Sequence, residues 1–503
     1  MIRRSATAVG AALGAALLLG ACAVGPSYRP VAPADAGTRI GSGETSPGAR
    51  AFFDSLAAAR AADSAPAGGA QIAAPAAPAP APGLAADSIA DVAWLDVLRD
   101  STLVDLVRTA LRQNRDLQGA VARIREFRAE VGVARAPLFP SVSASGGVST
   151  NRAALAGAGG PVTFDAWQAT GNVAWELDFW GRTRRGIEAA RADLGGQEAA
   201  RQAVALTLVS DVATGYLQLL ELDQERTVAE STLASRRATL ELARSRFRQG
   251  LTSELDVRQF EAQVSAPAAA LAQIERLRAQ QEHQLSVLVG DAPRRIARGG
   301  SLTAAVAALD VPDSLPASLL ARRPDVRQAE RAVAAATARI GVAQAARLPA
   351  ISITGYYGSQ SADLDGLFTS ATEVYQLQGG VSIPLFTGGR LVNETRAAQA
   401  RAEQARSAYE QTALNALREA GDALVGVRTA RDEVAAQQTQ AQALRRALRL
   451  AELRYSTGVS NYLEVLEAQR GLFSAELALS QAQLRQLTAA VQLYRALGGS
   501  WRE

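Results

Sequence analysis

From Trp94 onward the chain is written twice, and this repetition limits its fold more than any other feature. Asn114-Arg115-Asp116-Leu117 opens a helical run that ends at Leu138-Phe139-Pro140, and Arg323-Pro324-Asp325-Val326 opens a similar run ending at Arg347-Leu348-Pro349. Leu177-Asp178-Phe179-Trp180-Gly181 recurs in form as Ile383-Pro384-Leu385-Phe386-Thr387-Gly388. Arg246-Phe247-Arg248-Gln249-Gly250-Leu251 recurs as Arg454-Tyr455-Ser456-Thr457-Gly458-Val459. The offsets are 209, 206 and 208 residues, so three landmarks keep one order and nearly one spacing. Whatever one copy builds, the other builds again.

Within each repeat the period of the pattern changes. Ser141 to Thr150, Gln168 to Phe179, Ile351 to Ser359 and Gln376 to Phe386 alternate partially and carry Gly, Ser, Thr and aromatics between Pro or Gly flanks, as strands do. Between Trp180 and Gly250, and between Gly388 and Gly458, there is no Pro and the pattern is helical. Arg184 to Arg248 alone is 65 residues, roughly 100 Å of helix at 1.5 Å per residue. Such a length predicts a coiled-coil-like assembly rather than a globular core. Gly250 and Gly458 are predicted at the helix-tip turns, because glycine accepts the left-handed conformation that ends a helix. A returning helix follows each, Glu254 to Val289 and Tyr462 to Leu497, with a kink expected at Pro267.

Each repeat thus holds two strands and a long helical hairpin, giving four strands per chain. Four tilted strands cannot close a membrane barrel, since the smallest have about eight. Three chains would supply twelve. The fold expected is a mostly α, mixed α+β membrane protein: a trimeric twelve-stranded β-barrel, four strands per chain, continued by a long α-helical barrel. Ala-rich helices allow the close approach such a tube requires.

The N-terminus carries an address. Arg3 and Arg4 precede an uncharged run whose centre, Ala11 to Leu19, is strongly apolar, the layout of a secretory signal. Small residues in Leu19-Gly20-Ala21-Cys22 resemble a bacterial lipobox, in which the Cys becomes the acylated first residue. Ala23 rather than an acidic residue follows it, which favours export to the outer membrane. Residues 30 to about 90 are rich in Ala, Pro, Gly and Ser and read as an extended tether, with a helical patch around Phe52 to Arg60. The organisation expected is a signal peptide (1–21), a lipidated N-terminus and Ala/Pro-rich tether (22–93), a first repeat (94–290), a connector (291–316) and a second repeat (317–503).

Composition excludes several classes of function. There is one Cys (Cys22) and one His (His283), so an intrachain disulfide is impossible and a Cys/His metal site is not expected. His283 lies in a helical stretch rich in Gln and Leu, where it reads as solvated or interfacial. All 53 basic residues are Arg, and the net charge of +4 is spread along the chain, which argues against nucleic acid as a partner. No nucleophile motif, phosphate loop or His cluster is present, so neither an enzyme nor a cofactor is expected.

These residues resemble the outer-membrane efflux protein family, the TolC-like channels, and its NodT-type lipoprotein branch in particular. The resemblance rests on Cys22-Ala23-Val24-Gly25-Pro26-Ser27-Tyr28-Arg29-Pro30, Trp175 to Arg182, Arg322-Arg323-Pro324-Asp325-Val326, Pro384 to Arg390 and the ending Leu493 to Trp501. It implies an outer-membrane, lipid-anchored homotrimer whose helices stand in the periplasm. It also implies service as a passive export duct for small molecules, fed by a periplasmic adaptor (membrane fusion) protein and a proton-driven inner-membrane pump. The alternative, a periplasmic coiled-coil adaptor or structural lipoprotein, expects one hairpin, and the duplication counts against it.

Family channels close at the helix tips, and the matching stretch is Tyr455 to Arg470. The resemblance makes Leu463 an apolar constriction and Glu464 and Glu467, three apart and so on one helix face, rings of carboxylates in a threefold assembly, a device for cation selectivity. Arg470, three after Glu467, is a candidate partner for it. Ser460 stands where some members have an Arg that ties neighbouring helices shut. Asp256 and Tyr455 are candidate tip-locking residues.

Overall fold

The computed structural model describes residues 23–28, 39–40, 100–154, 160–308, 315–316, 321–460 and 462–499. Cys22, the signal region, the helical patch at 52–60 and most of the tether lie outside the described residues. The chain divides into two compact units, each drawing on both repeats. One takes Met1–Pro30, Ala122–Glu198 and Gln328–Glu410, and the other Val31–Val121, Ala199–Arg327 and Gln411–Glu503.

The first unit is built on a four-stranded antiparallel sheet of β1 (Ser141–Ala154), β2 (Pro161–Leu177), β3 (Ala350–Ser361) and β4 (Glu373–Ser382), in that order. β2 and β3 come from different repeats, which is why no repeat forms a compact unit alone. The strands run longer at the first hairpin than the sequence indicated. Asp178–Phe179 and Ile383–Phe386 fall outside β2 and β4, because Asp178 turns to cap the following helix and Pro384 has no N–H for a ladder.

The unbroken register separates two faces. On one lie Val142, Val148, Trp167, Val173, Trp175, Ile351, Ile353, Tyr357, Tyr375, Leu377 and Val381; on the other lie Ser141, Ser143, Ser145, Thr170, Asn172, Ser352, Thr354, Gln376 and Gln378. The apolar face is bare: Tyr375 is 79% exposed, Leu377 80% and Val142 75%. Polar groups on the other face bond to one another, as where Asn172 donates to Ser145 Oγ at 2.9 Å. A soluble sheet buries its apolar face against a second layer; this one reverses the arrangement, as a membrane barrel with a wet interior does. Ten to 17 residues per strand meet the roughly 9–11 a tilted strand needs to cross a bilayer. The outer edges of β1 and β4 pair with no strand among the described residues.

Residues 23–28 are tied to this unit. Val24 N–H donates to the Trp180 carbonyl, and Arg185 donates to the carbonyls of Val24 and Gly25. Gly25, at φ 108°, lies so close to Gly341 that a Cβ would approach its Cα to 2.5 Å. Tyr28 donates to Glu330 at 2.9 Å. The chain is therefore fixed one residue after Cys22.

Helices make up most of the second unit and part of the first. The short α1 (Ser101–Gln113) and α2 (Arg115–Arg135) are capped by Asp100 and Asn114, whose side chains accept from Thr102 and Leu117 N–H. α3 (Arg182–Arg248) and its counterpart α7 (Arg390–Ser456) are each 67 residues, contribute to both units and contain no Pro. α4 (Glu254–Val289) and α8 (Tyr462–Ala496) return from them, α4 continuing through Pro267. The short α5 (Leu302–Ala308) lies in the connector, and α6 (Pro324–Ala345) leads to β3. A core of Val107, Val212, Tyr216, Leu285, Val289, Leu302 and Leu487 joins α1, α3, α4, α5 and α8. Tyr216 donates to Asp100 Oδ2 at 2.7 Å and accepts from Gly299 N–H at 2.9 Å, pinning the connector. An 18-residue window of α3 is apolar enough to pass for a membrane span, but 67% of it is buried within the protein.

Glu221 is buried on α3 beside Glu225, whose carboxylate accepts from Gln481. Burial, with Glu225's hydrogen bond and charge in support, pushes Glu221 up to about 8 from the ordinary 4.5. A carboxyl that holds its proton more tightly when folded favours the folded state at low pH, and that contribution fades as pH rises from 4.5 towards 8. Glu221→Gln should therefore flatten the pH dependence of the thermal midpoint across this window and raise the midpoint at its alkaline end. An unchanged slope would show that the pair does not titrate there.

Candidate functional site

At the tips of the hairpins both long helices end in the same way. Gly250 adopts φ 72° and Gly458 φ 78°. Gly250 N–H donates to Phe247 O and Leu251 N–H to Arg246 O; Gly458 N–H donates to Tyr455 O and Val459 N–H to Arg454 O. Both are Schellman motifs, in which the glycine supplies the left-handed residue and its own N–H, with that of the following residue, satisfies carbonyls left over at the helix end. They place Leu251, 71% exposed, and Val459, 69% exposed, at equivalent positions on the two turns.

The tips pack against each other through Leu240, Ala243, Val257, Phe260, Ala451, Tyr455, Tyr462, Val465 and Leu466. Phe260 meets Tyr462 edge to face with centroids 5.2 Å apart. The Arg246 guanidinium lies 4.7 Å from the centre of the Tyr455 ring and donates to the Tyr455 and Ser456 carbonyls. One hairpin thus holds the end of the other through a cation–π contact and the leftover carbonyls of a helix terminus. The landmark Arg-Phe-Arg-Gln-Gly in the sequence signalled a turn at Gly250, but only folding supplies Arg246 with its partner.

Tyr462, Val465, Leu466 and Gln469 form the buried face of α8 here, and Leu463, Glu464, Glu467 and Arg470 are exposed. Glu464 pairs with Arg454 at 3.2 Å, across the turn of its own hairpin. Glu467 and Arg470 form no ion pair with each other among the described residues; Arg470 instead adds its positive charge to the surroundings of Arg236. The buried Arg236 lies 5.5 Å from the Phe473 ring centre and donates to Gln263 O. Burial first, and Arg470 second, hold its guanidinium below the ordinary range. Tyr455 is buried under Arg246.

Asp256 completes a capping box with Ser253 and accepts from Thr252 Oγ1 at 2.6 Å, which lowers its carboxyl below the usual range. The equivalent position in the second repeat is Glu464. One repeat spends this carboxylate on its helix cap and the other on an arginine. His283 lies on α4, away from the tips. No group of His, Cys, Asp and Glu able to hold a metal ion occurs among the described residues.

A two-faced sheet with open edges, joined to paired helical hairpins of this length, defines an outer-membrane channel subunit. The family model for outer membrane efflux proteins matches residues 106–291 and 315–499, one match for each repeat. The toluene efflux pump outer membrane protein TtgC of Pseudomonas putida is 36% identical over 418 residues, covering 82% of this chain and 86% of that one. The solvent efflux pump outer membrane protein SrpC of the same species is 37% identical over 413 residues, covering 81% and 87%. Among solved structures, the outer-membrane channel OprN superposes with a TM-score of 0.74 at 31% identity, covering 81% of this chain and 92% of that one. The open state of the Neisseria gonorrhoeae MtrE channel gives 0.71 at 30% identity, covering 80% and 89%. The chain belongs to the outer membrane efflux protein family. It is the outer-membrane channel component of a bacterial efflux system, a transport protein and not an enzyme.

Arg246→Ala should loosen the junction of the tips by roughly 1–2 kcal/mol and speed amide exchange at Gly458 and Val459 about tenfold. Arg454→Ala removes only an exposed pair worth about 0–1 kcal/mol and should change it less than about fivefold. Equal effects would remove the distinction drawn between the two arginines.

Proposed function

We propose that three copies close into a twelve-stranded barrel in the outer membrane, with the helices continuing it as a tube into the periplasm. The observation that carries this reading is the two-faced sheet whose outer edges pair with no strand among the described residues. In lipid an unpaired strand edge costs several kcal/mol per backbone group, and four strands are too few to close on themselves. Cys22, one residue before the fixed segment that starts at Ala23, is acylated and adds a lipid anchor.

The duct is closed at rest near the tips. Leu463 narrows it, and Glu464 and Glu467, on the exposed face of α8, form carboxylate rings that favour cations. Arg454 holds Glu464 within its own hairpin, and Asp256 and Tyr455, the one in a helix cap and the other beneath Arg246, keep the tips in register. Opening beyond a small resting conductance requires a partner. Exposed Leu251 and Val459 offer the apolar contact by which a periplasmic adaptor engages the turns, and the adaptor connects the duct to a proton-driven inner-membrane pump. Small molecules pass through passively, and the pump selects them.

Planar-bilayer recordings on the purified protein test the duct: trimeric particles with cation-preferring conductance are expected, and monomers without conductance would sink it. Glu464→Ala combined with Glu467→Ala should reduce cation preference, and unchanged selectivity would make these ordinary surface residues. Cys22→Ser should abolish incorporation of labelled palmitate; retained label would place the acyl group elsewhere.

A further inference from the structure

The duplication places one joint twice in the sequence, and only one of the two is filled. At the base of the sheet, the end of β2 meets the start of β3. Trp180 donates from Nε1 to the Pro349 carbonyl at 2.7 Å, and Leu177 to Arg182 close over Ala345, Ala346, Leu348, Pro349 and Ala350, leaving a void of about 40 Å³. Shifted by 209 residues, those last five positions are Ala136, Pro137, Phe139, Pro140 and Ser141. All five line an open cavity of about 720 Å³ that runs from the base of β1 across Ala174–Glu176 of β2 to Ser352 and Thr354 of β3.

The segment that would fill it is also in the sequence. Shifted by 206 residues, Leu177, Phe179 and Trp180 become Ile383, Leu385 and Phe386. Trp180 is half-buried in its joint, whereas Phe386 is 90% exposed and Leu385 91%. Across the missing joint, Phe139 is 60% exposed. The chain cannot join its own two halves here, because β4 is three strands from β1 in the sheet, roughly 14 Å at about 4.8 Å per strand.

We infer that Ile383–Phe386 of one copy seats in the cavity at Ala136–Ser141 of a second copy, repeating between chains the joint that Leu177–Trp180 makes within one. The partner is another copy of this chain, and the inference rests on the trimeric reading above. It also fixes the strand register at the subunit boundary. β2 pairs with β3 so that Glu176 faces Ser352 and Ala174 faces Thr354. Carried over by the same two shifts, Ser382 of β4 faces Ser143 in β1 of the neighbour, and Gly380 faces Ser145. All four belong to the polar face of the sheet, so the register continues polar face to polar face around the barrel. A shift by one residue would put polar against apolar along the whole seam.

Substituting p-benzoylphenylalanine for Phe386 in the full-length protein, followed by irradiation of outer membranes, tests the joint. An adduct migrating as a dimer and mapped by mass spectrometry to residues 136–141 of a second copy is expected. The same photoprobe in place of Phe368, exposed between β3 and β4, should give none there. A wild-type trimer in detergent whose Phe386 adducts lie elsewhere would overturn the joint and leave the duct standing. A wild-type monomer in detergent would overturn both.

Discussion

The backbone hydrogen bond at the edge of the sheet is the constraint on which the rest of this protein depends. In water an open strand edge finds solvent, but in lipid it finds nothing, so a sheet that turns an apolar face outward must close. The register of β1 to β4 gives this sheet such a face, with Tyr375 and Leu377 bare, while serines, Thr170 and Asn172 line the other. A chain built that way is unfinished alone. In the proposed trimer, neighbouring copies supply the missing edge bonds before they supply any function.

The two repeats show how one pattern serves two surroundings. The segment after β2 is covered within the chain, where Trp180 reaches the Pro349 carbonyl, and its counterpart after β4 is bare. In the second unit Arg246 crosses to the second hairpin and holds Tyr455, while its counterpart Arg454 stays at home with Glu464. Asp256 and Glu464 divide in the same way, one capping a helix and the other pairing with an arginine. Duplication supplies the parts, and departures from symmetry decide which contacts lie inside a chain and which remain for partners. Two unequal repeats thus leave the tips with two kinds of contact.

Much of the fold was legible because it rests on local rules. The Pro-free spans marked two helices that are each 67 residues long, and Gly250 and Gly458 marked their ends, since φ near 75° is costly for any residue with a Cβ. Strand positions were legible to within a few residues. Their limits were not, because Asp178 and Pro384 stop the ladder through capping and a missing N–H, while the apolar pattern runs on past both. At the tips the shared face of Glu464 and Glu467, with Arg470 three further on, followed from helical spacing, and Leu463 was singled out by resemblance alone. The partners did not: Glu464 joins Arg454, ten residues back, and Arg470 bears on Arg236.

The sequence by itself determined two repeats, the four strands of the sheet and two long hairpins. Period, proline and glycine carry that information within a turn or a strand of each residue. Tertiary structure alone decided which strand of one repeat pairs with the other, which face gathers the bare aliphatic and aromatic side chains, and which of two equivalent joints is filled. Those outcomes depend on residues more than a hundred positions apart meeting in one register, and no local pattern encodes a meeting.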